Sequence, residues 1–401
     1  MFLPTRLIVI ARRCLPRLDS IGVARHASTY KTTYTKRNEG VDSIKKSVFM
    51  SQSTNVFVNL ALEHWLYRNF NFSNHHVLLC YINDPCVVFG RHQNPWLECN
   101  VHAAEKEGIA LVRRNSGGGT VYHDKGNLNL TFFSRRDRYN RNYNLKIITN
   151  TLLRHWDLNS EINKRDDIIV DGDYKVSGSA AKLGMSNAYH HCTLLVKVNK
   201  ANLNSILEKK ENGIVTNATT STHSAIMNLS DINPNIHMKK LIACIGWEYM
   251  RTKALVCEDG EYDFVQQQKG FQYINPNEHW FPGINQFIND FGSWDWNYGK
   301  TPKFTITRTF DVSTNDDKIH RLNLNLEIEN GIVEGIRMNL PAGLVSTSDQ
   351  DVSVISNLRG TRYNHEVTEK IISEIGKIVT LNTIQSIDEN NVRRFDEATL
   401  Q

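Results

Sequence analysis

The sequence contains no run of about 18 apolar residues, so no segment reads as a membrane-spanning helix and no membrane partner is expected. It contains no C-x-x-C pair, and its seven cysteines (Cys14, Cys80, Cys86, Cys99, Cys192, Cys244 and Cys257) are an odd number without a spacing pattern. That argues against a disulfide scaffold and for free thiols in a reducing interior. No internal repeat is found. The remaining composition, 40% hydrophobic and 22% charged over 401 residues, is that of a globular chain large enough for two domains.

Acid is nearly missing from the first thirty residues, where Arg6, Arg12, Arg13, Arg17 and Arg25 face only Asp19. An arginine-rich, acid-poor, amphipathic start is the composition of a mitochondrial presequence, and the apolar stretch at 7–11 is too short for a secretory signal. Five arginines against one aspartate take four of the formal five positive charges, leaving about one for the rest of the chain. The mature protein is therefore not broadly basic, and no nucleic-acid partner is expected.

Familiar phosphate and metal signatures are also missing. Gly299-Lys300-Thr301 ends like a P-loop, but the earlier glycine position is Trp294; Gly117 and Gly119 fit a dinucleotide fingerprint, but its third glycine is Tyr122. His190-His191-Cys192 cannot converge on one ion, because neighbours on a strand face opposite ways, so no metal site is expected. No Ser-His-Asp spacing stands out. Cys192 reads either as an acyl-accepting thiol or as a small buried strand residue.

What is present centres on Arg113–Phe133, RRNSGGGTVYHDKGNLNLTFF. Three consecutive glycines let backbone approach a ligand without Cβ atoms intervening, and the two arginines before them suit an anion. A plain turn between two strands reads equally well from this run alone. Around it, 55–69 and 236–252 show helical periodicity, as do 100–107 and Leu145–Trp156. Val77–Tyr81 and Cys86–Phe89 read as a hairpin across Asn83-Asp84-Pro85. Ile168–Val170 and Tyr174–Gly178 read as another across Asp171-Gly172, which places Lys175 on a strand. His191–Val198 reads as a strand and the Thr/Ser-rich 213–225 as a loop. Asn297–Pro302 reads as a domain boundary. After it come strands at 303–311, 319–328 and 332–340, with Asn330-Gly331 as a hairpin turn, and a helix at 365–379. Basic residues at 135–141 and 146 read either as a partner-binding patch or as a solvated surface loop. The whole suggests an α+β fold rather than a parallel βαβ array.

Seven segments in order carry a resemblance: Gly90–Pro95 (GRHQNP), Arg113–Asn127, Lys175–Ala180 (KVSGSA), Tyr189–Leu195 (YHHCTLL), Asn217–Ser221 (NATTS), Phe281–Asn285 (FPGIN) and Trp294–Phe304 (WDWNYGKTPKF). Together they resemble the lipoate–protein ligase and lipoyltransferase family over roughly residues 50–310. The resemblance implies a biotin/lipoate ligase-type α+β catalytic domain at about 45–298, with its core at about 50–250. A smaller α+β accessory domain at 303–401 would follow it. It implies transfer of a lipoyl group to a lysine amine, with lipoyl-AMP as substrate and no tightly bound cofactor. The donor stays open between lipoyl-AMP and the lipoylated H protein of glycine cleavage. A full ligase that also activates lipoate with ATP and Mg²⁺ stays open as well. Acceptors would be lipoyl domains of the acyltransferase subunits of pyruvate, 2-oxoglutarate and branched-chain 2-oxoacid dehydrogenases, in the mitochondrial matrix.

The resemblance also implies roles. Lys175 would be the catalytic cation, bridging acyl carbonyl and phosphate. Ser116, Gly117, Gly118 and Gly119 would cradle that junction with backbone N–H groups. Arg113 and Arg114 alternate faces, so one would line the pocket and the other serve the fold. Tyr122 and His123 would border the acyl chain or its carbonyl. Arg165, Thr193, Thr222 and Ser224 would contact AMP. Many bacterial ligases carry glycine at the position of Cys192, and the likeness weakens after about residue 310.

Overall fold

A computed structural model describes residues 44–208, 213–313, 319–339, 358–364, 366–371, 384–388 and 391–394. The arginine-rich start and Cys14 lie outside the described residues. Six strands form the main sheet in the order β10 (Ser179–Leu183), β11 (Asn187–Leu195), β6 (Asn127–Arg135), β2 (His75–Tyr81), β1 (Lys45–Ser51) and β13 (Gly270–Ile274). β1 runs parallel to both neighbours and the remaining pairs are antiparallel, so the sheet is mixed.

Alternation along these strands sends side chains to two cores. Val48, Leu78, Leu130 and Phe132 face helices Arg141–Trp156 and Met238–Arg251. Phe49, Val77, Leu79 and Phe133 face helices Val56–Asn69 and Ile284–Gly292. Each such buried side chain contributes roughly 1.5–3 kcal/mol. Asn55 starts the first helix by accepting from Phe57 N and Val58 N. Asn140 caps Tyr143 N, so the helix expected from Leu145 begins at Arg141; Asp157, at φ 51°, ends it in the left-handed region.

The expected hairpin between Val77–Tyr81 and Cys86–Phe89 does not form. β2 has both edges occupied, by β1 and β6. β3 (Cys86–Phe89) instead founds a second sheet, parallel to β4 (Ala110–Arg113) and antiparallel to β5 (Val121–His123). The chain crosses between sheets through Asn83, which is fully buried; its Oδ1 accepts from Asn59 Nδ2 (2.8 Å). This small sheet stands against the face of the main sheet on which β6 and β11 turn polar, with Asn129, Thr131, His191 and Thr193. The candidate site occupies the space between them.

A third sheet joins β7 (Glu161–Ile162), β8 (Ile168–Val170) and β9 (Tyr174–Lys175). Its Asp171-Gly172 turn has φ values of 48° and 87°, the pair of left-handed residues a tight hairpin needs. The fourth sheet contains β16 (Ile332–Asn339), β15 (Ile319–Glu329), β14 (Phe304–Ser313), β17 (Ile384–Asp388) and β18 (Asn391–Arg394). Within the segment expected to be all loop, β12 (Ile214–Thr216) pairs with β14. Three residues carry too little alternation to signal a strand, and the partner lies some ninety positions away. β11 likewise starts at Asn187, earlier than expected, and ends at Leu195. Residues 366–371 are helical; the rest of the helix expected at 365–379 lies outside the described residues. Arg135 and Arg141 of the expected basic patch are paired with Asp137 and Asp166.

Candidate active site

Lys175 leaves the β8–β9 hairpin beside two cavities. Its main chain is held by Ala225 O, which accepts from Lys175 N (2.9 Å), and by Met227 N, which donates to Lys175 O (3.1 Å). Its Nζ lies 3.0 Å from Asp167 Oδ1, with Asp167 almost fully buried. The first cavity, about 300 Å³, has an apolar wall of Leu60, Tyr81, Val88 and Val121, with Arg114, Arg165 and Lys175 at its charged side. The second, about 600 Å³, is lined by Tyr122, Leu195, Leu203, Leu207 and Ile226 with Thr222 and Ser224. Lys175, Gly178, Thr193, Ser221 and Thr222 line both, so Lys175 stands on the common wall.

The glycine loop is turned toward the first cavity by Arg114. Arg114 Nη2 donates to Gly117 O (2.6 Å) and Gly119 O (2.7 Å), and Arg91 N donates to Ser116 O (2.9 Å). The amides of Gly117, Gly118 and Gly119 donate to no protein acceptor among the described residues. A row of free N–H groups is chemically able to receive an anion. Gly118 sits at φ 85°, and a Cβ on Gly90 would lie 2.0 Å from Gly118 O, so the approach of these loops requires glycine. Burial lowers the Arg114 guanidinium to about 10, which leaves it charged at neutral pH.

Arg114 is itself held by a chain that no local sequence pattern announced. Arg114 Nε donates to Ser116 Oγ (3.0 Å), which lies 2.7 Å from His191 Nε2; His191 Nδ1 lies 2.9 Å from Glu63 Oε2. Thr131 Oγ1 donates to the same Glu63 oxygen (2.8 Å). Burial pushes the Glu63 carboxyl up. The charge of His191 and the hydrogen bonds of His191, Thr131 and Tyr189 outweigh it and leave the group below its usual value. The ionised Glu63 accepts from His191 Nδ1–H, and Ser116 Oγ sits between His191 Nε2 and Arg114 Nε. The geometry is that of a Ser-His-carboxylate triad. However, Ser116 is buried, lines neither cavity and receives Arg114 Nε–H, so it orients rather than attacks.

His123 lines the first cavity, and burial, with the charges of Arg114 and His191, lowers it to about 3, so it is neutral. Asn83 Oδ1 is committed to Asn59, so Asn83 Nδ2 donates to His123 Nδ1 (3.1 Å) and the imidazole proton sits on Nε2. That Nε2 has no protein partner among the described residues.

Residues 55–248 match the family described as the lipoyl protein ligase A/B catalytic domain. The mitochondrial lipoyl amidotransferases of Mus musculus and Homo sapiens are 39% and 38% identical, over 73% and 79% of this chain and 76% and 82% of theirs. The chain belongs to the lipoate–protein ligase and lipoyltransferase family. The crystal structure of P. falciparum LipL1 in complex with lipoate superimposes with a TM-score of 0.53 at 27% identity, covering 83% of this chain and 99% of that one. As a family member the protein is an acyltransferase acting on lipoyl groups.

The residues singled out in the family motifs separate on this structure. Lys175, Arg114, Gly118, Gly119, His123, Arg165, Thr193 and Thr222 line the first cavity. Tyr122, one position from His123 and on the opposite face, lines the second with Ser224. Ser116 and Gly117 line neither. Arg113 is also away from both. It is fully buried, and its guanidinium donates to the carbonyls of Gly90, Arg91, Gln93, Trp296 and Asn297 and to Thr301 Oγ1. Every N–H is therefore committed to the fold, and none remains for an anion. His190 turns from the cavity to Ser179 Oγ (3.0 Å), opposite His191. Cys192 is buried, and burial raises its thiol to about 12, which removes the thiolate a nucleophile needs.

Proposed function

We propose that this protein transfers the lipoyl group of lipoyl-AMP to the ε-amine of one lysine in an acceptor lipoyl domain, forming an amide and releasing AMP. The single observation that carries the reading is the position of Lys175 on the wall shared by two cavities, each with apolar lining residues, so that a charged group stands between them. A mixed anhydride of an apolar acid and a nucleotide has that shape: a greasy chain, a charged junction and a heterocycle. The acyl chain lies along Leu60, Tyr81 and Val88, and the adenosine lies beside Tyr122, Leu203 and Leu207.

At the junction, the amides of Gly118 and Gly119 and the charges of Lys175 and Arg165 meet the phosphate. As the amine attacks, an N–C bond forms and the C–O bond to phosphate breaks. Charge grows on the acyl oxygen and on departing AMP, where Lys175, oriented by Asp167, and the His123 Nε2–H group stabilise it. The substrate arrives activated, so no covalent enzyme intermediate is needed. Thr193, Thr222 and Ser224 contact the nucleotide.

The acceptors are the lipoyl domains of the pyruvate, 2-oxoglutarate and branched-chain 2-oxoacid dehydrogenase complexes. The chain works in the mitochondrial matrix, with residues 1–30 as its presequence. Mass spectrometry of apo lipoyl domains incubated with this chain tests the donor, offering lipoyl-AMP, lipoylated H protein, or lipoate with ATP and Mg²⁺. Rapid lipoylation from lipoyl-AMP is expected. Equal rates from free lipoate and ATP would replace the transferase reading with that of a full ligase.

A further inference from the structure

Residues 217–225 cross the common wall of the two cavities as a strap without regular secondary structure. Both ends are fastened. Upstream, β12 is paired with β14; downstream, Lys175 N donates to Ala225 O. Between them Thr219, Thr220 and Thr222 are exposed, while Ala218 and Ser221 are half-buried. Ser221 Oγ accepts from Thr120 N (2.8 Å) and from Gln93 Nε2 (3.0 Å). Gln93 Oε1 accepts from Gly90 N (2.7 Å) and Thr120 Oγ1 (2.8 Å). Ser221 N donates to both oxygens of Glu98, each at 3.2 Å. Gln93 and Glu98 are almost fully buried, at 0% and 2% exposure, so two desolvated polar side chains each hydrogen-bond one strap residue. A Cβ on Gly119 would lie 3.0 Å from Ser221 Oγ, which puts the strap directly on the glycine loop.

We infer that Gln93, Glu98 and Ser221 form a latch that holds the strap closed over the donor's reactive junction and keeps water out until the accepting amine arrives. They are positioning residues. The inference rests on the reading that the donor is lipoyl-AMP. Water attacking the acyl carbon forms a C–O bond, breaks the bond to the phosphate oxygen and yields lipoate, AMP and two protons. Amine attack at the same carbon yields the amide instead. A loosened strap favours the first reaction over the second.

The test uses the full chain as wild type, Ser221→Ala, Gln93→Ala and the conservative Glu98→Gln, with synthetic lipoyl-AMP and an apo lipoyl domain. Amide hydrogen exchange of 217–225 is measured without donor; AMP release is measured without acceptor and compared with the rate of transfer. Losing the latch's net hydrogen bonding, about 1.4 kcal/mol, is a factor of about ten. Ser221→Ala and Gln93→Ala are expected to exchange about tenfold faster in 217–225 and to raise the ratio of AMP release to transfer about tenfold. Glu98→Gln, which keeps an acceptor oxygen, is expected to remain near wild type. Unchanged exchange, or faster exchange with an unchanged ratio, would overturn the latch. If the wild type neither transfers nor hydrolyses lipoyl-AMP, the donor reading fails, and exchange alone decides whether Gln93 and Ser221 hold the strap.

Discussion

Replacing Arg113 by lysine separates a fold-bearing arginine from a ligand-binding one. Its guanidinium reaches six oxygens, five of them carbonyls, and stacks 4.8 Å from the Phe89 ring centre. Burial, with the charge of Arg91, lowers it to about 9, so it remains a cation at neutral pH. A lysine ammonium has three N–H groups on one atom and leaves about half of these oxygens unpaired in a dry site. At about 1–3 kcal/mol per unsatisfied group, the variant should lose about 3–9 kcal/mol, or roughly 4–11 °C in Tm. Calorimetry measures the loss, and steady-state transfer at 25 °C measures KM for lipoyl-AMP. The KM is expected to stay within about threefold of wild type, because lost stability of this size does not change contacts in the folded fraction. A variant as stable as wild type with a KM raised tenfold or more would show that Arg113 touches the donor, and the reasoning would fall.

Three further outcomes are expected. Lys175→Ala should fold normally by circular dichroism and lower single-turnover transfer from lipoyl-AMP by about 10²–10³, the cost of removing one preorganised oxyanion donor; transfer at the wild-type rate would remove Lys175 from the mechanism. Glu63→Leu should raise the donor KM about tenfold by freeing His191 and, through Ser116, Arg114, whereas Glu63→Gln should recover most of it; equal effects of the two would point to packing instead. Lys46 is fully buried, donating to Tyr143 Oη (2.7 Å), Tyr249 O (2.9 Å) and Thr252 O, and burial lowers it from 10.5 to about 7. Between those values the unfolded chain holds a proton that the folded chain has released. Unfolding free energy should therefore rise with pH by up to about 1.4 kcal/mol per unit, a slope that denaturant titrations should find missing in Lys46→Met.

Local chemistry made part of this site legible. Asp171-Gly172 can form a tight turn unaided, so Lys175 could be placed on its strand from a few residues. The triple glycine likewise announces close backbone approach. Alternation showed that Arg113 and Arg114 face opposite ways, but only tertiary packing decides which face is the pocket. The Glu63–His191–Ser116 chain was invisible because its members lie on a helix, a strand and a loop, and each has an ordinary local reading. The transition at Asn83 was misread for the same reason. A turn-forming Asn-Asp-Pro looks alike whether the chain doubles back or crosses to another sheet.

The Asn297–Pro302 run reads as a joint in the sequence, yet Arg113 grips Trp296, Asn297 and Thr301, while β12 is zipped to β14 beyond it. A fragment ending at residue 302 would keep every cavity-lining residue but strip β12 of its partner and slacken the tether that leads to Lys175. The seam most inviting to an engineer designing a minimal enzyme is thus a poor place to cut.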